Sequence, residues 1–246
     1  MHKAAKRCII IMSPGKVKEE HNMKILHASD LHGKPLGFMK LAWAAKAADV
    51  IVITGDMLPS SDRVVVNGMN RMLPRIEIAF QEDWVKHTIS KMNLPYHIGD
   101  TPVICVDGNH DFLSVATVLK EAGVKNVYEL DHDNLYVDLL GKRWAGFRDI
   151  PFMKGEWMGE THDFNDLVTQ TFACQPDILL THAPPAGILS DVWGITKLTS
   201  FLQFQPHNVK AHFFGHVHRD GGKTMKVMDT LHINGSQRVL IHDIDV

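Results

Sequence analysis

Five short apolar runs constrain this chain more than anything else in it: "KILHAS" (24–29), "DVIVITGD" (49–56), "PVICVDG" (102–108), "DILLTH" (177–182) and "AHFFGH" (211–216). Each is rich in β-branched or bulky residues, is too short for a buried helix, and stops at a polar or glycine-containing turn. Buried strands have this look. Helical patterns lie between them, at residues 36–48, 77–93, 112–122, 164–174 and 195–204, with Leu36, Met39 and Trp43 expected on the buried face of the first. Strands alternating with helices predict βαβ units. Two segments depart from that rhythm. Residues 134–147 read as two strands about a "LGK" turn, and residues 230–246 read as a second hairpin. Hairpins added to parallel units fit a sheet sandwich flanked by helices better than one parallel sheet. Residues 57–76 and 148–163 read as long loops, which in compact domains are often functional.

At 246 residues the chain is long enough for one large domain or two small ones, and one domain over 23–246 is the simpler reading. Met23 opens "MKILHASDLHG" in the manner of a protein start, so residues 1–22 are expected to be a flexible extension. Its apolar stretch, Cys8 to Met12, is too short for a secretory core, and no later run approaches a membrane span, so a cytoplasmic protein is expected. The balance of 26 basic and 28 acidic residues argues against bulk nucleic acid or anionic membrane as a partner. Three scattered cysteines, with no C-x-x-C pair, indicate neither a disulfide framework nor a thiolate zinc site. Sixteen histidines are unusual, because imidazole is the commonest nitrogen ligand of transition metals.

The polar residues concentrate where the strands stop. "SDLHG" gives Asp30 and His32, "TGD" gives Asp56, "DGNHD" gives Asn109, His110 and Asp111, "THAPP" gives His182, and "GHVH" gives His216 and His218. Sites in open α/β sheets form at the carboxyl ends of strands. Carboxylate, amide oxygen and imidazole nitrogen together suit two divalent ions of the Mn, Fe or Zn type. Asp56 could bridge ions about 4 Å apart, polarising a phosphoryl oxygen and generating a hydroxide that attacks phosphorus in line. His110, held by Asp111, could protonate the leaving oxygen.

These blocks, Asp30-x-His32, Gly55-Asp56, Gly108-Asn109-His110-Asp111, His182 and Gly215-His216-x-His218, resemble the signature of the calcineurin-like metallophosphoesterases over roughly residues 23–236. The resemblance implies a four-layer αββα sandwich with a two-metal site at one edge. It implies Asp30, His32, Asp56 and His218 on one ion, and Asp56, Asn109, His182 and His216 on the other. His110 would stabilise the transition state or act as general acid. Manganese is the first expectation, with iron, zinc, nickel or cobalt as alternatives. "THAPPAGILSD", then "FGHVH" and "INGS", look like the small cyclic-nucleotide-type phosphodiesterases of this superfamily, although Ser190 stands where an acidic residue is expected. "GDMLPSSDR" departs from the pattern of the phosphoprotein phosphatases and disfavours them.

The expected activity is therefore hydrolysis of a small phosphodiester, nucleotide-like in character. Phosphomonoesterase or nuclease of the same superfamily, and a non-catalytic protein-binding scaffold, are the alternatives. Arg148 and Arg219 are candidate phosphate-binding groups. Phe152 and Trp157 are read as loop packing, with stacking on a base as the alternative. Cys105 is read as core, and His87, His97, His207 and His212 as surface groups.

Overall fold

The computed structural model of the chain describes residues 22–61, 64–66, 69–71, 73–190 and 193–246. Of the expected N-terminal extension, all but Asn22 lies outside the described residues. The chain opens with β1 (Met23–Ser29), α1 (Pro35–Ala44) and β2 (Val50–Thr54). Two three-residue strands, β3 (Val64–Val66) and β4 (Met69–Arg71), pair antiparallel ahead of α2 (Pro74–His87). Next come α3 (Leu94–Ile98), β5 (Val103–Val106), α4 (Val115–Glu121) and β6 (Val127–Glu129). The hairpin of β7 (Tyr136–Leu139) and β8 (Lys142–Phe147) follows, then a short parallel pair, β9 (Ile150–Pro151) with β10 (Glu160–Thr161). The chain ends with α5 (Asn165–Ala173), β11 (Ile178–Thr181), α6 (Thr196–Phe204), β12 (Ala211–Phe214), β13 (Thr224–Val227), β14 (Thr230–Asn234) and β15 (Arg238–Ile244).

Two sheets carry the fold, a five-stranded one in the order β15-β1-β2-β5-β6 and a six-stranded one in the order β13-β14-β12-β11-β8-β7. Their central strands are parallel, and antiparallel strands sit at the β15, β13 and β7 edges, while the β6 edge is parallel. The two-residue side-chain period of a strand sorts the apolar runs between layers. In β2, Ile51 and Ile53 pack under the first group of helices, while Val50 and Val52 face the other sheet. Trp144, Ile178, Leu180 and Phe213 meet them from the second sheet, whose opposite face packs Leu179 and Phe147 against α5 and α6. Apolar contacts on both faces explain why these strands read as continuous rather than alternating runs. The result is the expected αββα sandwich.

Three local expectations are corrected. Residues 230–246 are not a hairpin: β14 stays beside β12 and β13, while β15 crosses to the other sheet. The crossing is held where Gly235 N donates to Phe214 O (2.8 Å) and Gln237 N donates to Ser29 O (3.0 Å). Beyond it, β15 pairs with all seven residues of β1 and shields an edge that would otherwise be open.

In α1, Leu36, Met39 and Trp43 face outward at 59, 40 and 62% exposure. Phe38, Leu41, Ala42 and Ala45 form a competing stripe with full i, i+3, i+4, i+7 spacing, and that stripe is buried. The loop expected at 57–76 contains the β3–β4 hairpin and the first turn of α2, which starts at Pro74, where proline's missing N–H costs nothing. Among the described residues no helix is long and apolar enough to cross a membrane.

Candidate metal centre

The carboxyl ends of β1, β2, β5, β11 and β12 open on one edge of the sandwich, and the chain turns sharply as it leaves them. Asp30, His32, Asp56 and His216 all have left-handed backbones, with φ of 54, 45, 54 and 68°. Asp and His tolerate that region better than most residues, and such clusters of strained positions occur at functional sites. The first two turns are tied together: Asp30 N donates to Gly55 O, His32 N to Asp56 O and Gly33 N to Met57 O, at 2.8 to 2.9 Å. Two glycines are required by close approach. A Cβ on Gly108 would lie 2.2 Å from Asp56 Oδ1, and one on Gly215 would lie 2.2 Å from Asp30 Oδ2.

The turns bring the seven candidate ligands together in two overlapping groups. Around Asp30, His218 Nε2 lies 3.0 Å from Oδ1, and His32 Nε2 lies 3.3 Å from His218 Nε2. Around Asn109, His182 Nε2 and His216 Nδ1 each lie 3.0 Å from Oδ1. Asp56 stands between the groups, with Oδ1 3.4 Å from His182 Nε2 and Oδ2 3.9 Å from His32 Nε2. Asp30, Asp56 and His182 hold one ligand atom each within 4.8 Å of one another, as do Asp30, His32 and His218.

The donor chemistry fits divalent cations. Two imidazole nitrogens 3.3 Å apart and two inward-facing carboxylates converge on shared space. His182 Nδ1–H donates to Thr54 O at 2.7 Å, which leaves Nε2 as the ring's lone-pair donor. Cys105, the buried thiol nearest this edge in sequence, lies within β5 as core.

The electrostatics describe what protons do in place of metal. Burial pushes the Asp56 carboxyl up, but the charge and hydrogen bond of His182, with His110 and His32 beyond, hold it well below the usual range. His182 is pushed down by burial, yet Asp56 and Asp30 carry it up to about 9. His216 falls to about 4 through burial and repulsion from His182, and His32 and His110 are also lowered, chiefly by burial. His218 rises through its hydrogen bond to Asp30. The raised His182 pKa reflects a buried ring placed beside two carboxylates.

Several residues have roles other than those expected. Asp111 does not touch the His110 ring. Its buried carboxylate accepts from Leu58 N and Gly108 N, both at 2.9 Å, and clamps two site loops together. Burial and Asp56 raise its pKa to about 6. His110 Nδ1 instead meets Ser60 Oγ at 2.5 Å.

Arg148 turns away from the site. Its guanidinium donates to Gly108 O (3.2 Å) and Asp111 O (3.1 Å) and pairs with Asp107 at 3.4 Å, bracing the back of the ligand loop. Asp107 also accepts from Val115 N at the start of α4. His212, expected at the surface, is fully buried and bonded to Thr181 Oγ1.

The sequence reading missed Glu77 and Gln81, one turn apart on α2 and both buried. Gln81 Nε2 donates to Pro59 O and His110 O, and its Oε1 accepts from Phe112 N and Leu113 N. Glu77 accepts from Ser61 N at 2.9 Å. A polar pair at i, i+4 reads as a solvated face, so only the partner loops reveal its purpose.

The 148–163 segment forms a wall of the site. Met158 N donates to Asn109 O at 3.2 Å, and the Trp157 ring lies 4.4 Å from that of His110. A cavity of about 400 Å³ opens over Asp56, Asn109, His110, His216 and His218 and is walled by Lys154, Trp157 and Trp193. A second, of about 330 Å³, shares Met153, Trp193, His216 and His218 with it and extends to Val217 and Arg219. Phe152 lies outside both, against His162 at 4.0 Å.

Comparison with curated protein sequences gives no match. Among solved structures, one crystal structure matches with a TM-score of 0.59 at 13% identity, covering 90% of this chain and 99% of the other. The crystal structure of TT1561 of Thermus thermophilus matches with a TM-score of 0.58 at 14% identity and the same coverage. Identities this low establish a shared fold. The family model described as calcineurin-like phosphoesterase matches residues 23–220, which include all seven gathered candidate ligands and His110, and the chain belongs to that family.

Proposed function

We propose that the chain is a two-metal phosphodiesterase acting on small nucleotide-like esters. The observation that carries this reading is the pair of cavities meeting over the ligand cluster. A diester has two ester groups to place on either side of one phosphorus, and the site offers a lobe at Trp157 and another at Arg219. Asp30, His32, Asp56 and His218 would hold one ion, and Asp56, Asn109, His182 and His216 the other. Divalent ions there would polarise a phosphoryl oxygen and lower the pKa of water. The mixed oxygen and nitrogen donors suit manganese, with iron, zinc, nickel and cobalt as competitors.

The remaining chemistry belongs to the chain. His110 presents Nε2 to the same space as Asp56 Oδ2, 3.9 Å away, where it can donate to a phosphoryl or leaving oxygen. Trp157 and Trp193 exclude water and offer faces to a flat substituent, and Lys154 adds positive charge at the rim. Arg219 lines the second lobe and is suited to an anionic or hydrogen-bonding substituent. The same reading takes residues 23–246 as one domain, supported by β15 closing the sheet that β1 begins.

The test is hydrolysis of bis-p-nitrophenyl phosphate and of p-nitrophenyl phosphate with added Mn²⁺, by wild type and Asp56→Asn. Diester turnover that disappears in the variant is expected. Monoester preference would overturn the diester assignment, and metal-independent turnover would overturn the metal one.

A further inference from the structure

The His110 ring is oriented by a group outside the expected signature. Ser60, four residues past Asp56, places Oγ 2.5 Å from His110 Nδ1. Among the described residues the Ser60 hydroxyl meets no other partner; it can donate to a bare Nδ1 or accept from a protonated one. A neutral imidazole that accepts at Nδ1 carries its own hydrogen at Nε2, the nitrogen facing Asp56 and the cavity.

The backbone around this contact is fixed from behind. Gln81 Nε2 donates both to Pro59 O (3.0 Å) and to His110 O (2.6 Å), so one amide holds the residue before Ser60 and the histidine itself. Trp157 covers the ring at 4.4 Å.

We propose that Ser60 is a positioning residue that sets the Nε2–H tautomer of His110, making the ring a neutral hydrogen-bond donor to the phosphoryl group. A carboxylate in the same place can only accept at Nδ1, so it would present Nε2–H only when the ring is cationic. A hydroxyl removes that requirement. The proposal rests on the phosphoester reading for its consequence in turnover, but not for the tautomer itself.

The experiment compares wild type, Ser60→Ala and Ser60→Thr in two ways. Nitrogen-15 NMR of histidine-labelled, metal-free protein at pH 8, with the ring assigned by His110→Gln, reads which nitrogen carries the hydrogen. Steady-state hydrolysis of bis-p-nitrophenyl phosphate by Mn²⁺-loaded protein reads kcat and KM separately.

The expected result is Nε2–H in wild type and a mixture of tautomers in Ser60→Ala. With it come a fall in kcat of about 10- to 100-fold, KM within about twofold, unchanged metal content, and recovery in Ser60→Thr. An Nδ1–H signal in wild type, or kcat unchanged in Ser60→Ala, would overturn the proposal. So would a fall in kcat that tracks metal loss. If wild type hydrolyses no phosphoester, the functional reading fails, and the NMR signal still decides whether Ser60 sets the tautomer.

Discussion

The two banks of the site are built by different means. The bank formed by the turns after β1, β2 and β5 is cross-braced from behind by buried polar groups. Asp111 ties Leu58 to Gly108, Gln81 ties Pro59 to His110 and Phe112, and Arg148 ties Gly108 to Asp111. The bank after β11 and β12 has ties of its own, from Thr181 Oγ1 to Ala183 O, Gly215 N to His182 O and Asn234 Nδ2 to Val217 O, and it also leans on the first bank. His182 is fixed through Thr54 O, and the His216 N–H and the His218 ring both lean on the Asp30 carboxylate. The first bank is braced within itself, and the second is held both by its own bonds and by contacts across to the first. Exposure cuts across this division: His182 on the second bank is as buried as Asp30 and Asp56 on the first, while the His218 side chain is 43% exposed.

That difference can be broken most severely at the residue both banks share. Asp56→Asn is expected to lower metal affinity by more than about 100-fold and to bring diester turnover to background, whereas His218→Ala at the open rim loses less metal. Metal content after gel filtration, read beside turnover, checks the pair; equal losses would erase the distinction.

A brace rather than a ligand comes next. Gln81→Leu leaves two amide N–H groups and two carbonyls without their partner, and about 2–4 kcal/mol of stability should go in urea unfolding, with kcat falling as His110 loosens. Asn234→Ala, which frees Val217 O, Leu189 O and Ser236 N on the other bank, should cost less, about 1–3 kcal/mol, and act on the site through Val217, between His216 and His218.

Titration probes the buried histidines without mutation. In metal-free protein His182 has its pKa raised from 6.5 to about 9, so the stability of its bound proton is complete below pH 6.5 and lost as pH rises towards 9. His27, His216 and His232 are lowered to about 3, 4 and 4, so the unfolded chain takes protons that the folded one refuses, and stability is lost as pH falls below 6.5. Asp111, raised to about 6, opposes this limb but is outnumbered. The melting temperature of chelator-treated protein should therefore peak near pH 6.5. Bound Mn²⁺ should remove the alkaline decline, because the cation replaces the proton on His182. A flat alkaline limb in metal-free protein would show that His182 is neutral there.

The smallest effect is expected far from either bank. Trp43→Ser on the outer face of α1 should change stability by less than about 0.5 kcal/mol, since its side chain is mostly in water already.

The positions gathered at the candidate site are legible in the chain itself because a strand end is a local event: an apolar run stops, and Asp, Asn or His follows at once. The sandwich is equally readable, since βαβ spacing and continuous apolar strands leave few arrangements. What escapes are decisions made between distant segments. Nothing local to "GS" at 235–236 says that the chain changes sheets there; that choice depends on the seven residues of β1 waiting for a partner. Glu77 and Gln81 escape because α2 inverts its pattern, burying them while Ile76 and Phe80 are each 42% exposed. Ser60 escapes because its meaning lies in one contact across 50 residues.

The pairing of β15 with β1 also has a consequence in time. The strand that delivers Asp30 and His32 is made first, yet one of its edges is not covered until residues 238–244 have been synthesised. Until then the first-made strand has an open edge, and His218, which leans on Asp30, is itself a late arrival. Among the described residues, this pairing joins strands from opposite ends of the sequence, and such closure is expected to make folding slow.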